Sequence, residues 1–127
     1  MATSSLTRRQ LEETLADAYP FSAESAVITT TTNVAVKAAV TSKRHWVTQL
    51  VVTNKTATEM TQVIVQSDTT TIATLAATDP VTASPGGSTV YKFDPPLEFA
   101  SGEAINAKTV DATTGDIHVL AVGYLEA

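Results

Sequence analysis

From residue 26 onward, apolar and polar side chains alternate with a period of two, the pattern of strands that bury one face. In one stretch, Val34, Val36 and Val40 share a face, and Lys37 lies on the other. The 23 Thr and 14 Val are β-branched and suit a pleated sheet surface. The pattern predicts strands at about residues 26–31, 34–41, 45–54, 60–67, 70–76, 89–94, 103–110 and 116–124.

Turn-forming residues separate the predicted strands. They include Asp79–Pro80, Ser84–Gly87, Asp94–Pro96, Ser101–Gly102 and Thr114–Asp116. About eight strands with such turns between them predict an all-β fold, a two-sheet antiparallel β-sandwich. Long connections such as residues 77–88 favour a jelly-roll-like strand order.

Residues 1–25 follow a different pattern, that of a short helix. Thr7 and Gln10 have the spacing of a capping box, in which each side chain bonds the other residue's backbone N–H. Pro20 cannot continue a helix. The segment therefore predicts a helix at about residues 8–18.

The predicted helix has a narrow apolar stripe formed by Leu11, Leu15 and either Ala18 or Tyr19 at its end. About three turns are too few for a helix to persist alone in water, so it should dock on its own sheet or on a neighbouring subunit. We therefore expect an N-terminal arm with a short helix over residues 1–25 and a β-sandwich domain over residues 26–127.

The last predicted strand carries apolar residues on both faces. Its odd-numbered positions form one apolar face, and its even-numbered positions form a second. Because the outer face of a sandwich strand is normally polar, we expect the second face to be covered by the helix, a long loop or another subunit. The interface candidates are His118, Leu120, Val122 and Tyr124 on this strand, with Leu11, Leu15 and Tyr19 on the helix.

Charge and composition restrict the classes of partner. The net charge of −5 argues against nucleic-acid binding and against a polybasic membrane surface. No apolar stretch is long enough to span a bilayer, and no signal peptide is recognisable, so we expect a protein that is not exported. Residues 45–127 carry a net charge of −6 and residues 1–44 a net charge of +1, so the negative charge is concentrated in the C-terminal two-thirds of the chain.

The sequence offers little catalytic or metal-binding chemistry. It has no cysteine, and its two histidines, His45 and His118, lie in no nucleophile or zinc motif. Asp111–Asp116 lacks the alternating acids of a calcium loop. The basic cluster Lys43–His45 is more typical of a solvated strand entrance than of a phosphate site. We therefore predict a protein that is not an enzyme and binds no metal or cofactor.

Residues 45–124 resemble small jelly-roll proteins of tailed-phage virions. The segments that carry the resemblance are Leu50–Asn54, Val63–Val65, Phe93–Leu97, Ser101–Gly102, Ala104–Asn106 and Val119–Tyr124. Such modules occur in capsid decoration proteins and in fibre or spike tips. The resemblance implies a non-enzymatic decoration (cement) protein, commonly a homotrimer, that braces the head through contacts with the major capsid protein or another virion protein.

Two alternatives remain open from the sequence. A fibre or spike-tip module would bind a host glycan, with residues 77–88 and 111–116 as the loops that shape the site. A neck, collar or baseplate component would also act through protein contacts. All three interpretations place the protein in a virion assembled in the host cytoplasm.

Overall fold

The computed structural model describes residues 7–15, 18–28, 32–54, 62–76, 88–110 and 117–126. Within these ranges the chain forms one helix and eight strands. They are α1 Arg8–Leu15, β1 Tyr19–Glu24, β2 Val34–Lys37, β3 His45–Asn54, β4 Gln62–Ser67, β5 Thr70–Ala76, β6 Ser88–Phe99, β7 Ile105–Thr109 and β8 Ile117–Leu125.

The strands form two four-stranded sheets. The first has the order β1-β8-β3-β6 and is called sheet A, and the second has the order β2-β7-β4-β5 and is called sheet B. Every neighbouring pair is antiparallel. This is the strand order of a jelly roll, in which two Greek keys wrap around one core. The predicted all-β sandwich with eight strands and a short helix is confirmed.

The core lies between the two sheets and is built from alternate residues of each strand. Each large apolar side chain buried there contributes about 1.5–3 kcal/mol. The largest are Phe99, Ile28, Leu50, Leu97, Ile105, Ile117, Val47, Val52, Val63 and Val65. The alternation predicted from residue 26 onward is therefore the pattern that fills this core.

Gly123 allows β8 to lie tightly against β3. Its partner across the ladder is Val47, beside an irregularity in the register at Thr48. A Cβ atom on Gly123 would overlap the Trp46 carbonyl and lie 2.8 Å from the Val47 Cα. Only glycine fits between these backbones.

The N-terminal boundary differs from the prediction. The described helix is Arg8–Leu15, Ala18 at the predicted end is not helical, and Tyr19–Glu24, within the predicted arm, is a strand of sheet A. Alternation explains the strand, because Phe21 packs against the core opposite Gly123 on β8. Pro20 is tolerated because β1 is an edge strand.

The predicted strand at 26–31 was also wrong in its described part. Residues 25–27 have no regular structure, and Ile28 forms one isolated bridge with Ile117. Residues 29–31 lie outside the described ranges. The next strand ends at Lys37, before the predicted residue 41.

The turn predicted at Asp94–Pro96 lies inside β6. This strand continues to Phe99, and its pairing with β3 jumps from Lys92 opposite Gln49 to Leu97 opposite Val47. Because β6 is at the edge of sheet A, the prolines interrupt no ladder on its outer side. The turn at Ser101–Gly102 is confirmed, with Gly102 at a φ of 77°. The predicted turns within residues 77–87 and 111–116 lie outside the described residues.

Candidate interaction surface

Sheet A carries a group of apolar side chains on the side facing away from the core. Register places Val51 of β3 between Val90 of β6 and Leu120 of β8. Val122 and Tyr124 follow on the same side of β8, and the five residues together are called the outer patch. Val90 is 49% exposed and Tyr124 37% exposed, whereas the other three are half-buried.

Charged and polar residues border the outer patch. On β1, Glu24 is opposite Leu120 and Ser22 is opposite Val122. On the β6 side, Lys92 is opposite Gln49 and is exposed. An apolar centre with a polar rim is the usual anatomy of a protein–protein interface.

Trp46 also occupies an outward position but is covered from within the chain. It is paired with Tyr124 and Glu98 on the neighbouring strands, yet it is fully buried. The Arg44 guanidinium lies 5.0 Å from the centre of the Trp46 ring. Trp46 is therefore closed to a ligand, whereas the outer patch next to it is partly open.

Two carboxylates hold Arg44 in place. Its Nε and Nη2 donate to Glu126 at 2.8 Å each, and its Nη1 donates to Glu98 at 3.2 Å. The bond from Arg44 lowers the pKa of Glu126, and the bond to Glu126 raises the pKa of Arg44. In the predicted basic cluster, the charge of Arg44 is therefore balanced within the fold.

His118 joins β8 to the segment that follows β1. Its Nδ1 lies 3.4 Å from the Ser25 carbonyl oxygen and 3.5 Å from Glu24 Oε1. Ser25 in turn donates its backbone N–H to the Val119 carbonyl at 2.8 Å and accepts the Val119 N–H through its hydroxyl at 3.0 Å. Through these contacts, His118 and its neighbour Val119 hold β8 to the end of the edge strand β1 and to Ser25.

His45 is packed in the core. It is fully buried, and the Phe21 ring meets it edge-on with 5.6 Å between the two ring centroids. Burial lowers the pKa of His45, and the Lys37 ammonium lowers it further, while the backbone of Glu103 acts in the opposite direction. His45 is therefore neutral at pH 7.

The predicted interface residues lie in three places. Leu120, Val122 and Tyr124 lie together in the outer patch, and His118 lies beyond them on the same side of β8. Tyr19 is 63% exposed on β1. The side chains of Leu11 and Leu15 lie outside the described part of the molecule.

Two members of the outer patch were missing from the candidates. Val51 and Val90 lie on strands whose other faces are buried, so each is an apolar residue at an outward position. The alternation along 46–53 and 89–94 contained that signal. The register that places Val51 between Val90 and Leu120 was not in the sequence.

The helix is tied to the sandwich by an exposed ion pair. Arg8 Nη1 lies 2.8 Å from Asp94 Oδ1 on β6. The capping box is confirmed, because Thr7 N–H donates to Gln10 Oε1 at 3.0 Å and Gln10 N–H donates to Thr7 Oγ1 at 3.2 Å. The helix in the described ranges is too short and polar to cross a membrane.

A cleft of about 300 Å³ opens between β5 and β6, where the edges of the two sheets meet. Its lining is rich in hydroxyl and carboxylate groups: Ser67, Thr70, Ile72, Glu98, Ala100 and Glu103. Ser67 donates to Glu103 Oε1 at 2.6 Å and accepts the Ala100 N–H at 3.0 Å. The described residues contain no group of three His, Cys, Asp or Glu that could hold a metal ion.

The sequence matches no protein-family model, and no curated protein is significantly similar to it. Among solved structures, the chain is similar to one from the virus-like particle of the extra small virus of the giant freshwater prawn Macrobrachium rosenbergii. The two chains are 8% identical, and the match covers 87% of this chain and 80% of that chain with a TM-score of 0.38. A likeness this distant carries no argument about what the protein does.

Proposed function

We propose that the chain is a non-enzymatic structural protein of a tailed-phage virion, a decoration protein that braces the capsid through protein contacts. The observation that carries the proposal is the outer patch, because apolar side chains in the middle of a solvent-facing sheet are typical of a surface that another protein covers.

The strand order and the sequence resemblance support this proposal. Jelly rolls are widely used in viral capsid proteins and also in lectins, so the fold suits both the leading function and its alternative. The segments that resemble virion proteins include Leu50–Asn54 and Val119–Tyr124. These segments lie in β3 and β8, the two strands that meet at the centre of the outer patch.

The partners we propose are further copies of the chain, as a homotrimer, and the major capsid protein. Exposed Val90 and Tyr124 provide apolar contact area, and Glu24 and Lys92 at the margins give polar contacts of both signs. The helix, whose Arg8 forms an exposed ion pair with Asp94 of the body, would serve as the anchor to the shell or to a neighbouring copy.

The test is binding to undecorated shells of the cognate major capsid protein. Val90→Asp places a charge in the outer patch and should weaken binding about tenfold or more, which corresponds to about 1.4 kcal/mol. Val110→Asp is the matched control, because Val110 is 42% exposed and lies beyond β7 in sheet B. Equal binding by the two variants would contradict the role of the outer patch.

The arm is tested by truncation. Since β1 is part of sheet A, the truncation must end before Ala18, so that the strand is kept. Removal of residues 1–17 should weaken binding to shells and leave the fold intact. Unchanged binding by the truncated chain would exclude the anchoring role.

Glycan binding at a fibre or spike tip is the second candidate, and the cleft between β5 and β6 is the observation that favours it. Its hydroxyls and carboxylates are groups that bond sugar hydroxyls. The burial of Trp46 removes one aromatic residue that could stack on a sugar. Binding on a glycan array that Thr70→Ala abolishes would favour this function over the first.

A further inference from the structure

A sandwich of two open sheets has four edge strands, and three of them here are protected against pairing with another chain. Edge strands expose unpaired N–H and C=O groups, and proteins block them with proline, charge or short length. In sheet A, β1 contains Pro20 and β6 contains Pro95 and Pro96. In sheet B, β2 is four residues long and ends in Lys37.

The fourth edge, β5, lacks these protections. Thr70–Ala76 is seven residues long and contains no charged residue and no proline. In the described part of the chain β5 pairs with β4 alone, so its other edge has no strand partner. The register irregularity in the β4–β5 ladder falls at Ile72 and leaves Ala73–Ala76 as a regular strand.

We propose that β5 pairs with β5 of a second copy of the chain, antiparallel about a two-fold axis, so that two B sheets become one eight-stranded sheet. Directly opposed residues must share a face of the sheet. Ala73 and Leu75 are buried on the inner face and Thr74 is exposed on the outer face. One register keeps these faces and pairs the regular parts of the two strands. In it, Thr74 of one copy lies opposite Thr74 of the other, and Ala73 of each copy lies opposite Leu75 of the other.

The neutrality and self-complementarity of β5 favour a second copy as the occupant of this edge. The chain carries a net charge of −5, so two copies repel each other at most approaches. The neutral β5 strands allow two backbones to meet without burying a charge, and opposed threonines are a favourable cross-strand pair. A two-fold axis gives both copies the same contacts. The pairing lies on sheet B and stands independently of the proposed virion role and of the outer patch.

Because the chain has no cysteine, single introduced thiols report this contact cleanly. In the proposed register, the Cα atoms at position 74 of the two copies lie about 5 Å apart, within the range that a disulfide spans. Thr71 is also an exposed threonine of β5, but its two copies would lie about 20 Å apart along the strands. Thr71→Cys is therefore a matched control on the same strand.

Mild oxidation of Thr74→Cys should trap a covalent dimer on a denaturing gel about tenfold more efficiently than oxidation of Thr71→Cys, because only position 74 satisfies disulfide geometry. Circular dichroism verifies that both variants are folded. Equal trapping of the two variants, or no dimer from either, would overturn the proposal.

If a variant does not fold, amide hydrogen exchange on the unmodified chain tests whether β5 pairs with a second copy. Exchange in β5 should slow as the protein concentration rises, whereas exchange in the edge strand β2 should not change. Exchange in β5 that is independent of concentration up to the millimolar range would also overturn the proposal.

Discussion

The outward sides of the two sheets differ in chemistry although the same alternating pattern builds both. On sheet B, Ile64 lies between Lys108 and Thr74, and the next row places Gln66 beside Asn106. A single apolar side chain is therefore surrounded by polar ones. On sheet A, three apolar side chains of the outer patch lie side by side across β6, β3 and β8. This apolar row, which the outward side of sheet B lacks, is why we propose that a protein covers sheet A.

Within sheet A, some outward residues are covered by the chain itself and others stay exposed. Trp46 is closed by Arg44 and its two carboxylates. The neighbouring Tyr124 remains 37% exposed. Both are outward aromatic residues of sheet A, and they are paired across the β3–β8 ladder.

Gly123→Ala should lower the stability of the protein most, because it acts on the tightest contact within sheet A. The added Cβ would overlap the Trp46 carbonyl, so β8 must move away from β3. We expect a loss of about 3 kcal/mol in the free energy of unfolding, at the upper end of the usual cost of overpacking. Urea titration measures it. Gly102→Ala is the control, since its Cβ meets nothing closer than 3.7 Å and the cost there comes only from a positive φ; an equal loss at both glycines would contradict the tight β3–β8 approach.

Arg44→Met tests the internal cover of Trp46. It leaves two partly buried carboxylates, Glu98 and Glu126, without their cation. We expect a loss of about 2 kcal/mol, the usual size for removing hydrogen bonds to charged groups. The loss should also depend on pH. Arg44 lowers the pKa of Glu126, so the stabilisation is present above the ordinary carboxyl value of 4.5 and is lost as the pH falls through the lowered pKa. A pH-independent difference between the variant and the parent chain would contradict this account.

Val51→Thr and Ile64→Thr compare the two outward sides directly. Both residues are half-buried aliphatic side chains in the middle of a sheet. Each substitution should cost about 1 kcal/mol in stability, a usual value for a moderate change of a partly buried residue. Only Val51→Thr should also weaken self-association, as measured by light scattering over a concentration series. Equal effects on association would mean that the outer patch is not the contact surface.

His45 lies on the inner side of sheet A, and the pH dependence of the protein's stability tests its burial. Its pKa is lowered in the fold, so the unfolded chain binds a proton more readily than the folded chain. Stability is therefore fully present above the ordinary value of 6.5 and falls as the pH drops from there towards the lowered pKa. His45→Phe should remove this dependence between pH 7 and 5 in thermal melts. A parent chain whose melting temperature is constant over that range would contradict a neutral, buried imidazole.

Arg8→Ala should have the smallest effect. The ion pair with Asp94 is exposed on both sides, where solvent screens it, so we expect no measurable change in melting temperature. A clear loss of stability would show that the helix is held more firmly than this contact indicates.

The parts of the fold that were predictable from the sequence are those in which alternation and turn chemistry agree. β3 and β5 have the predicted bounds because polar and turn-forming residues flank both stretches in the sequence. β1 was missed because Pro20 is both a helix stop and a residue that an edge strand tolerates. The same ambiguity hid the continuation of β6 through Pro95 and Pro96.

The candidate surface was predictable only in part, because many of its contacts join residues that are far apart in the sequence. The outward residues of β8 were predictable because the even-numbered positions of this strand are apolar as well as the odd-numbered ones. The partners of Arg44 lie 54 and 82 positions away, so the cover of Trp46 depends on tertiary contacts that no local pattern records. The pairing of Val51 with Val90 on one side and Leu120 on the other likewise depends on the strand order of the sheet.

The central claim, that a protein covers the outer side of sheet A, is tested most directly by thiol accessibility. The chain has no cysteine, so Val90→Cys and Val110→Cys each introduce one reporter at an exposed valine, on sheet A and at the end of sheet B. The measurement is the rate of maleimide labelling for the dilute protein and for the protein bound to shells. We expect binding to slow labelling about tenfold or more at position 90, because a residue at the centre of an interface is desolvated. The labelling rate at position 110 should not change. Equal rates at position 90 in the free and bound protein would contradict it.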